Sequence, residues 1–169
     1  RITSSLEEAE VVSVFAIGPQ PLLMYLGYLL NDETDIRVFQ KFRSEESGWS
    51  WLAEQQTNAF LVERLFDHAG TNSAEISEVN LIISISAEIA ATRIHAIKSD
   101  DIPTYVLRST YQGLDAIKSE QDVNDFISIF RREAIEQIRQ DFPQAAIINM
   151  FPAMPVSLPI RMGMNYLKN

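Results

Sequence analysis

The stretches "VFAIGPQPLLMYLGYLL", Val14 to Leu30, and "MFPAMPVSLPIRMGMNYL", Met150 to Leu167, decide how this chain is read. Each runs from apolar residues into prolines and then into a helix-like segment interrupted by a glycine. Offset by 136 positions, Phe15 aligns with Phe151, Pro19 with Pro155, Leu22 with Leu158 and Gly27 with Gly163. Proline suits the first turn of a helix, where its missing N–H would have no partner. Each copy therefore predicts a strand, a proline turn and a helix. A glycine inside a helix costs about 1 kcal/mol against alanine. The expected compensation is a close helix-to-sheet approach. Pro19 and Pro155 are expected at neighbouring strand ends on one edge of the sheet. The two helix N-termini would then face one crevice, an arrangement suited to a ligand with repeated anionic groups. The plainer alternative is that two apolar strand–helix units look alike and only build the fold.

Outward from these stretches the chain alternates strands and helices. "VVSVFAI" (Val11 to Ile17) reads as a strand buried on both faces, and "IRVFQ" (Ile36 to Gln40) as a second. "AFLVERLF" (Ala59 to Phe66) favours a strand over a helix. "EVNLIISIS" (Glu78 to Ser86) is the strongest strand, with "AEIAATRIHAI" as the following helix. "IPTYVLRS" (Ile102 to Ser109) is another strand. Ser119 is an N-cap with Asp122 three residues on. Val123, Phe126, Ile127, Phe130, Ala134 and Ile138 then form a helical stripe, ended by Pro143. "AAIINMF" (Ala145 to Phe151) is a further buried strand. Continuous apolar strands between helices predict an α/β, Rossmann-like, mostly parallel sheet with helices on both faces. Ligands of such sheets bind outside the carboxyl ends of the strands.

The 169 residues suit one domain, expected to cover 1–169. The chain begins at Arg1 and is read as a fragment of a longer protein. Its 46% hydrophobic and 22% charged residues are those of a globular protein. The absence of cysteine excludes disulfides and thiolate metal sites and is compatible with the cytoplasm. No apolar run reaches the ~18 residues of a membrane span. A net charge of −9 argues against non-specific binding to duplex nucleic acid but not against a small anionic ligand.

No GxGxxG, P-loop, GxSxG or HExxH occurs. His68 and His95 are the only histidines, and the scattered carboxylates form no acid/base pair. "QKFRSEESGWSWLAEQ" (Gln40 to Gln55) begins at a strand's carboxyl end and holds Lys41, Phe42, Arg43, Trp49 and Trp51. Cations and aromatic rings together can hold phosphates and stack on bases. The two tryptophans lie on one face of an extended chain, which equally suits packing a loop onto the core. Arg161, mid-helix, is a weaker candidate and is expected to face solvent.

"VFAIGPQPLLMYLGYLL", "VFQKFR" with the W-S-W that follows, "NLIISISAEI" and "NMFPAMPVSLPIRMG" stand in order along the chain. Together they resemble the SAVED domain, the sensor module of bacterial CBASS anti-phage systems, whose relatives also serve type III CRISPR signalling. The resemblance runs from Val11 to Gly163. It implies a CARF-like, Rossmann-type fold that binds a cyclic oligonucleotide, in the leading case a cyclic oligoadenylate, and needs no cofactor or metal. Binding would drive assembly into a homo-oligomer and switch on a fused or associated effector. The implied ligand-binding residues are Pro19, Gln20 and Pro21; Lys41, Phe42 and Arg43; Ser86, Ala87 and Glu88; and Met154, Pro155 and Val156, with Trp49 and Trp51 nearby. The chain stops where family members continue into a further strand, so flanking segments are expected to complete the sensor.

Two other functions compete with the sensor. One is a Rossmann-like enzyme, such as a phosphodiesterase of cyclic oligonucleotides. Ser84 and Ser86 are present but no base accompanies them. The other is an interaction module without a small ligand.

Overall fold

The computed structural model describes residues 11–30, 35–42, 48–51, 58–65, 73–98 and 101–166, without the side chains of Ala91, His95 and Tyr166. The architecture is mixed α/β, in two compact units. The first holds the described residues of Arg1–Thr57, Ile117–Ile127 and Met154–Asn169; the second holds those of Asn58–Ala116 and Ser128–Ala153.

In the first unit β1 (Val11–Val14) pairs in parallel with β2 (Asp35–Val38), Val12 opposite Ile36 and Val14 opposite Val38. The prediction of a strand buried on both faces is corrected here. Val11 and Ser13 are exposed while Val12 and Val14 are half-buried. A strand in a two-stranded sheet packs one face only, so its exposure alternates with the side-chain period of two. Pro19 opens α1 (Gln20–Leu29), and Leu22 and Leu23 donate their N–H groups to the Pro19 carbonyl. Leu23, Leu30, Ile36 and Val38 form this core with Ile160 of a second helix, described next.

That helix, labelled α5 (Ser157–Tyr166), packs against α1. The two glycines of the repeat make this possible. A Cβ on Gly27 would stand 2.0 Å from the Ile160 carbonyl oxygen, and one on Gly163 the same distance from that of Met24. The glycines thus serve a helix-to-helix approach, not the helix-to-sheet approach expected from sequence.

The second unit carries a four-stranded sheet in the order β3 (Phe60–Arg64), β5 (Thr104–Ser109), β4 (Glu78–Ser84), β6 (Ile147–Ala153). β4 is parallel to both neighbours, whereas β3 runs antiparallel to β5. The expected single, mostly parallel sheet is therefore two sheets, one of them mixed. β4 and β5 are the inner strands, which is why they read as continuous apolar runs. β6 was expected to be buried, but it is an edge strand with half-buried residues, and the edge position tolerates Pro152, which has no ladder donor. The strand before Pro19, β1, and the strand before Pro155, β6, do not share a sheet. The expectation of neighbouring strand ends on one edge is corrected accordingly.

A polar ladder crosses the inner strands. Asn149 donates to Glu78 (3.0 Å) and to Asn80 (3.1 Å), and Asn80 donates to the Thr104 hydroxyl at 3.3 Å. Asn80 is buried, so a register slip would leave its amide without partners. The helix expected after β4 is short, α2 (Ala91–His95). α3 (Glu120–Ile129) begins as the sequence implied: Asp122 N–H donates to Ser119 Oγ at 3.2 Å, and Ser119 N–H donates back to the Asp122 carboxylate at 3.0 Å. A π-helical stretch, Phe130–Ile135, leads into α4 (Glu136–Asp141). Val123, Phe126, Phe130, Ala134 and Ile138 of the stripe are buried, and the wide turn adds Ile135. The Tyr105 hydroxyl donates to Asp141, whose carboxylate also pairs with Arg64 at 3.0 Å. No described helix is long and apolar enough to cross a membrane.

Candidate ligand-binding site

In the first unit the two proline turns meet through one side chain. The Gln20 amide nitrogen donates to the Met154 carbonyl oxygen at 3.0 Å. A carbonyl offers no proton, so this contact fixes which end of the amide points which way. Gln20 Oε1 is then directed elsewhere. It is buried and accepts no hydrogen bond among the described residues. Pro19 and Pro21 on one side of this contact are exposed; Met154 and Pro155 on the other are buried, and Val156 is half-buried.

The helix N-termini were expected to be open to a crevice, and for α5 the structure corrects this. Gln40, 2% exposed, accepts at Oε1 from the Ser157 N–H (3.1 Å) and from the Ser157 hydroxyl (2.9 Å). Its own amide nitrogen donates to the Lys41 carbonyl at 2.8 Å. The α5 N-terminus is thus capped by a side chain from the end of β2. Pro21 stands at the matching position of the first copy and has no N–H to cap. Gln40 was legible only as the last residue of a strand, because its partner lies 117 positions away.

The aromatic residues between β2 and Trp51 form two groups. Phe15 stacks on Phe39 with centroids 4.7 Å apart, the Trp49 ring meets Phe15 edge-on, and the Lys41 ammonium lies 5.8 Å from the Trp49 ring centroid. Phe15 is half exposed, which leaves this group reachable from solvent. Phe42 is 1% exposed and meets Trp51 edge-on, so this second pair packs the core. The Phe42 N–H donates to the Gly48 carbonyl at 2.9 Å, and Gly48 takes φ +51°, a left-handed conformation suited to glycine. Arg43, between them, lies outside the described residues, as do His68 and the side chain of His95. Arg161, expected to face solvent, is half-buried and donates to Asn124 at 3.2 Å. It lines a cleft with Val38, Trp51, Glu120, Val123 and Asn124.

In the second unit the residues expected to bind ligand follow β4. Ile85 and Ser86 both donate their N–H groups to the Ala153 carbonyl at the end of β6, and the Ser84 hydroxyl accepts from the Ile89 N–H. The turn is therefore held at both ends. Ala87 and Glu88 are exposed, while Ser86 Oγ is buried without a hydrogen-bond partner among the described residues. Native structures rarely leave buried polar atoms unpaired, and such atoms cluster where a ligand or water completes them. The ionisable groups with displaced pKa values lie elsewhere. Glu78, at the amino end of β4, is held below its ordinary value by the Asn149 hydrogen bond and then by Lys98. Burial pushes the Tyr105 phenol up. No group of three or more metal-binding side chains occurs among the described residues.

Each of the two turns leaves one buried polar atom, Gln20 Oε1 and Ser86 Oγ, without a hydrogen-bond partner among the described residues. The family model for the "SMODS-associated and fused to various effectors sensor domain", SAVED, matches residues 1–169, and the chain belongs to this family. No curated protein matches the chain.

Proposed function

We propose that the chain is the sensor of a cyclic oligonucleotide second messenger, a cyclic oligoadenylate in the leading case. Occupancy would switch on a fused or associated effector in cytoplasmic antiviral defence. On this reading the chain is a CARF-like, Rossmann-type sensor domain that binds rather than cleaves its ligand. The observation that carries it is Gln20: an amide locked by Met154, with a buried acceptor left open at the very turn the repeat singles out. Such an acceptor loses its hydration on folding and recovers a partner only when a donor arrives, as a base amine would. The group of Lys41, Trp49 and Phe15 supports the same reading, since an ammonium beside exposed rings suits a phosphate next to a stacked base. Membership of a family of effector-fused sensors supports the division of labour.

Calorimetry with cyclic tri- and tetra-adenylate, alongside a cleavage assay on the same ligands, tests this. Saturable binding without cleavage is the expected result. Turnover would make the protein a phosphodiesterase, and neither binding nor cleavage would leave an interaction module.

A further inference from the structure

The loop after β5, Thr110 to Ala116, is pinned by several hydrogen bonds. One side chain, Asn58, holds it from both sides. Its amide nitrogen donates to the carbonyls of Tyr111 (2.9 Å) and Ala116 (3.0 Å), and its amide oxygen accepts from the Thr110 hydroxyl (3.0 Å) and the Tyr111 N–H (3.1 Å). These contacts use the full capacity of an asparagine side chain. The Gly113 N–H donates to the Ile85 carbonyl at 3.1 Å, and Gln112 donates to the Ser84 carbonyl at 3.2 Å. The loop is thereby fastened to the turn that carries Ser86, at the carboxyl ends of two parallel strands.

Within this fixed frame two polar atoms are left over. Asp115 Oδ1 is buried and takes no hydrogen bond among the described residues, and Ser86 Oγ is in the same condition. Each lies within two residues of the Gly113–Ile85 hydrogen bond. A rigid support around an uncommitted group is how binding sites are built. A carboxylate can only accept, and it repels phosphate, so it selects a donor on the ligand's non-phosphate side. A hydroxyl such as Ser86 can donate as well as accept. One group that answers both is a hydroxyl, which gives its proton to the carboxylate and accepts one from serine. An exocyclic amine could also answer both, with one N–H to each, so the inosine ligand in the test below is the control that separates the two.

We infer that Asp115, positioned by Asn58, binds a ribose hydroxyl of the ligand together with Ser86. This rests on the sensor reading and adds, within the second unit, a residue no sequence motif marked. Carboxylates at strand ends hold ribose hydroxyls in dinucleotide-binding folds by the same chemistry.

The test is calorimetry of the protein and its Asp115→Ala variant with cyclic tri- and tetra-adenylate, in ribose form, in 2′-deoxyribose form, and with inosine replacing adenosine. The protein should prefer the ribose over the deoxyribose ligand by about tenfold or more, the size of a hydrogen bond to a charged group. In the variant that preference should fall to about twofold, while discrimination against inosine persists. Asp115→Asn, which keeps the shape, serves if the alanine variant melts early, and should lose most of the preference too. Binding with no preference for ribose, a preference untouched by either substitution, or a loss of inosine discrimination instead would overturn the role of Asp115 and leave the sensor reading standing. Failure of every cyclic oligonucleotide to bind the unaltered protein would sink both.

Discussion

Gly27 and Gly163 stand in reciprocal contact across α1 and α5. A Cβ on Gly27 would collide with the backbone of Ile160, and a Cβ on Gly163 with that of Met24. Both pairs of positions, 27 with 163 and 24 with 160, are separated by the 136 residues of the repeat. The contact is therefore one interaction used twice, and it explains why glycine is kept inside both helices despite its cost there.

Gly27→Ala and Gly163→Ala should each destabilise the protein by about 3 kcal/mol, the upper range for overpacking, because backbone rather than a flexible side chain must move. The gain from stiffening the unfolded chain, about 0.4–1 kcal/mol, does not offset this. Once the helices have separated for one Cβ, the second costs less. The double variant should thus lose less than the sum of the singles in urea unfolding. Strict additivity would show that the two contacts are independent.

Gln40→Leu should cost about 1–3 kcal/mol. It removes the acceptor of the Ser157 N–H and hydroxyl in a buried setting and leaves two donors unpaired. Gln40→Glu preserves the acceptors but buries a charge and loses the donor to Lys41, so it should not rescue. Thermal unfolding of the two variants checks this, and a leucine variant as stable as the protein would remove the buried cap from the account.

Stability should respond to acid through Glu78. Its carboxyl, held below the ordinary value of 4.5 by Asn149 and Lys98, is a group whose folded pKa is depressed. The stabilisation it supplies is present above the ordinary value and is lost as pH falls through the folded value. The difference in urea midpoint between the protein and Glu78→Gln should be full above the ordinary carboxylate value of 4.5 and shrink as pH falls below it. A difference that stays constant would show that Glu78 acts by packing alone.

Trp49→Ala should reduce ligand-driven assembly more than it reduces thermal stability. Trp49 rests edge-on against the half-exposed Phe15 and beside Lys41, whereas Trp51 meets the buried Phe42. Light scattering should show a monomer without cyclic oligoadenylate and larger species with it. Trp51→Ala should instead lower the melting temperature, by several degrees for each 1 kcal/mol lost. Tight binding to a species whose scattering mass stays monomeric would detach assembly from this chain.

The sequence by itself determined the pieces. Strands β3, β4 and β5 were legible from β-branched apolar runs, and α3 from its cap and stripe, because these signals arise from residues within a turn or two of each other. The repeat was legible for the same reason: it is a pattern along the chain. What the tertiary structure decided is everything that depends on partners distant in sequence. It placed β1 in a two-stranded sheet and β6 at an edge, so that neither is buried as its composition suggested. It turned the repeated glycines toward a helix rather than a sheet. It closed the α5 N-terminus with Gln40 and left Gln20, Ser86 and Asp115 with open acceptors among the described residues. Whether a polar atom is satisfied is set by which other chain segment comes within about 3 Å of it, and local pattern carries no information about that distance.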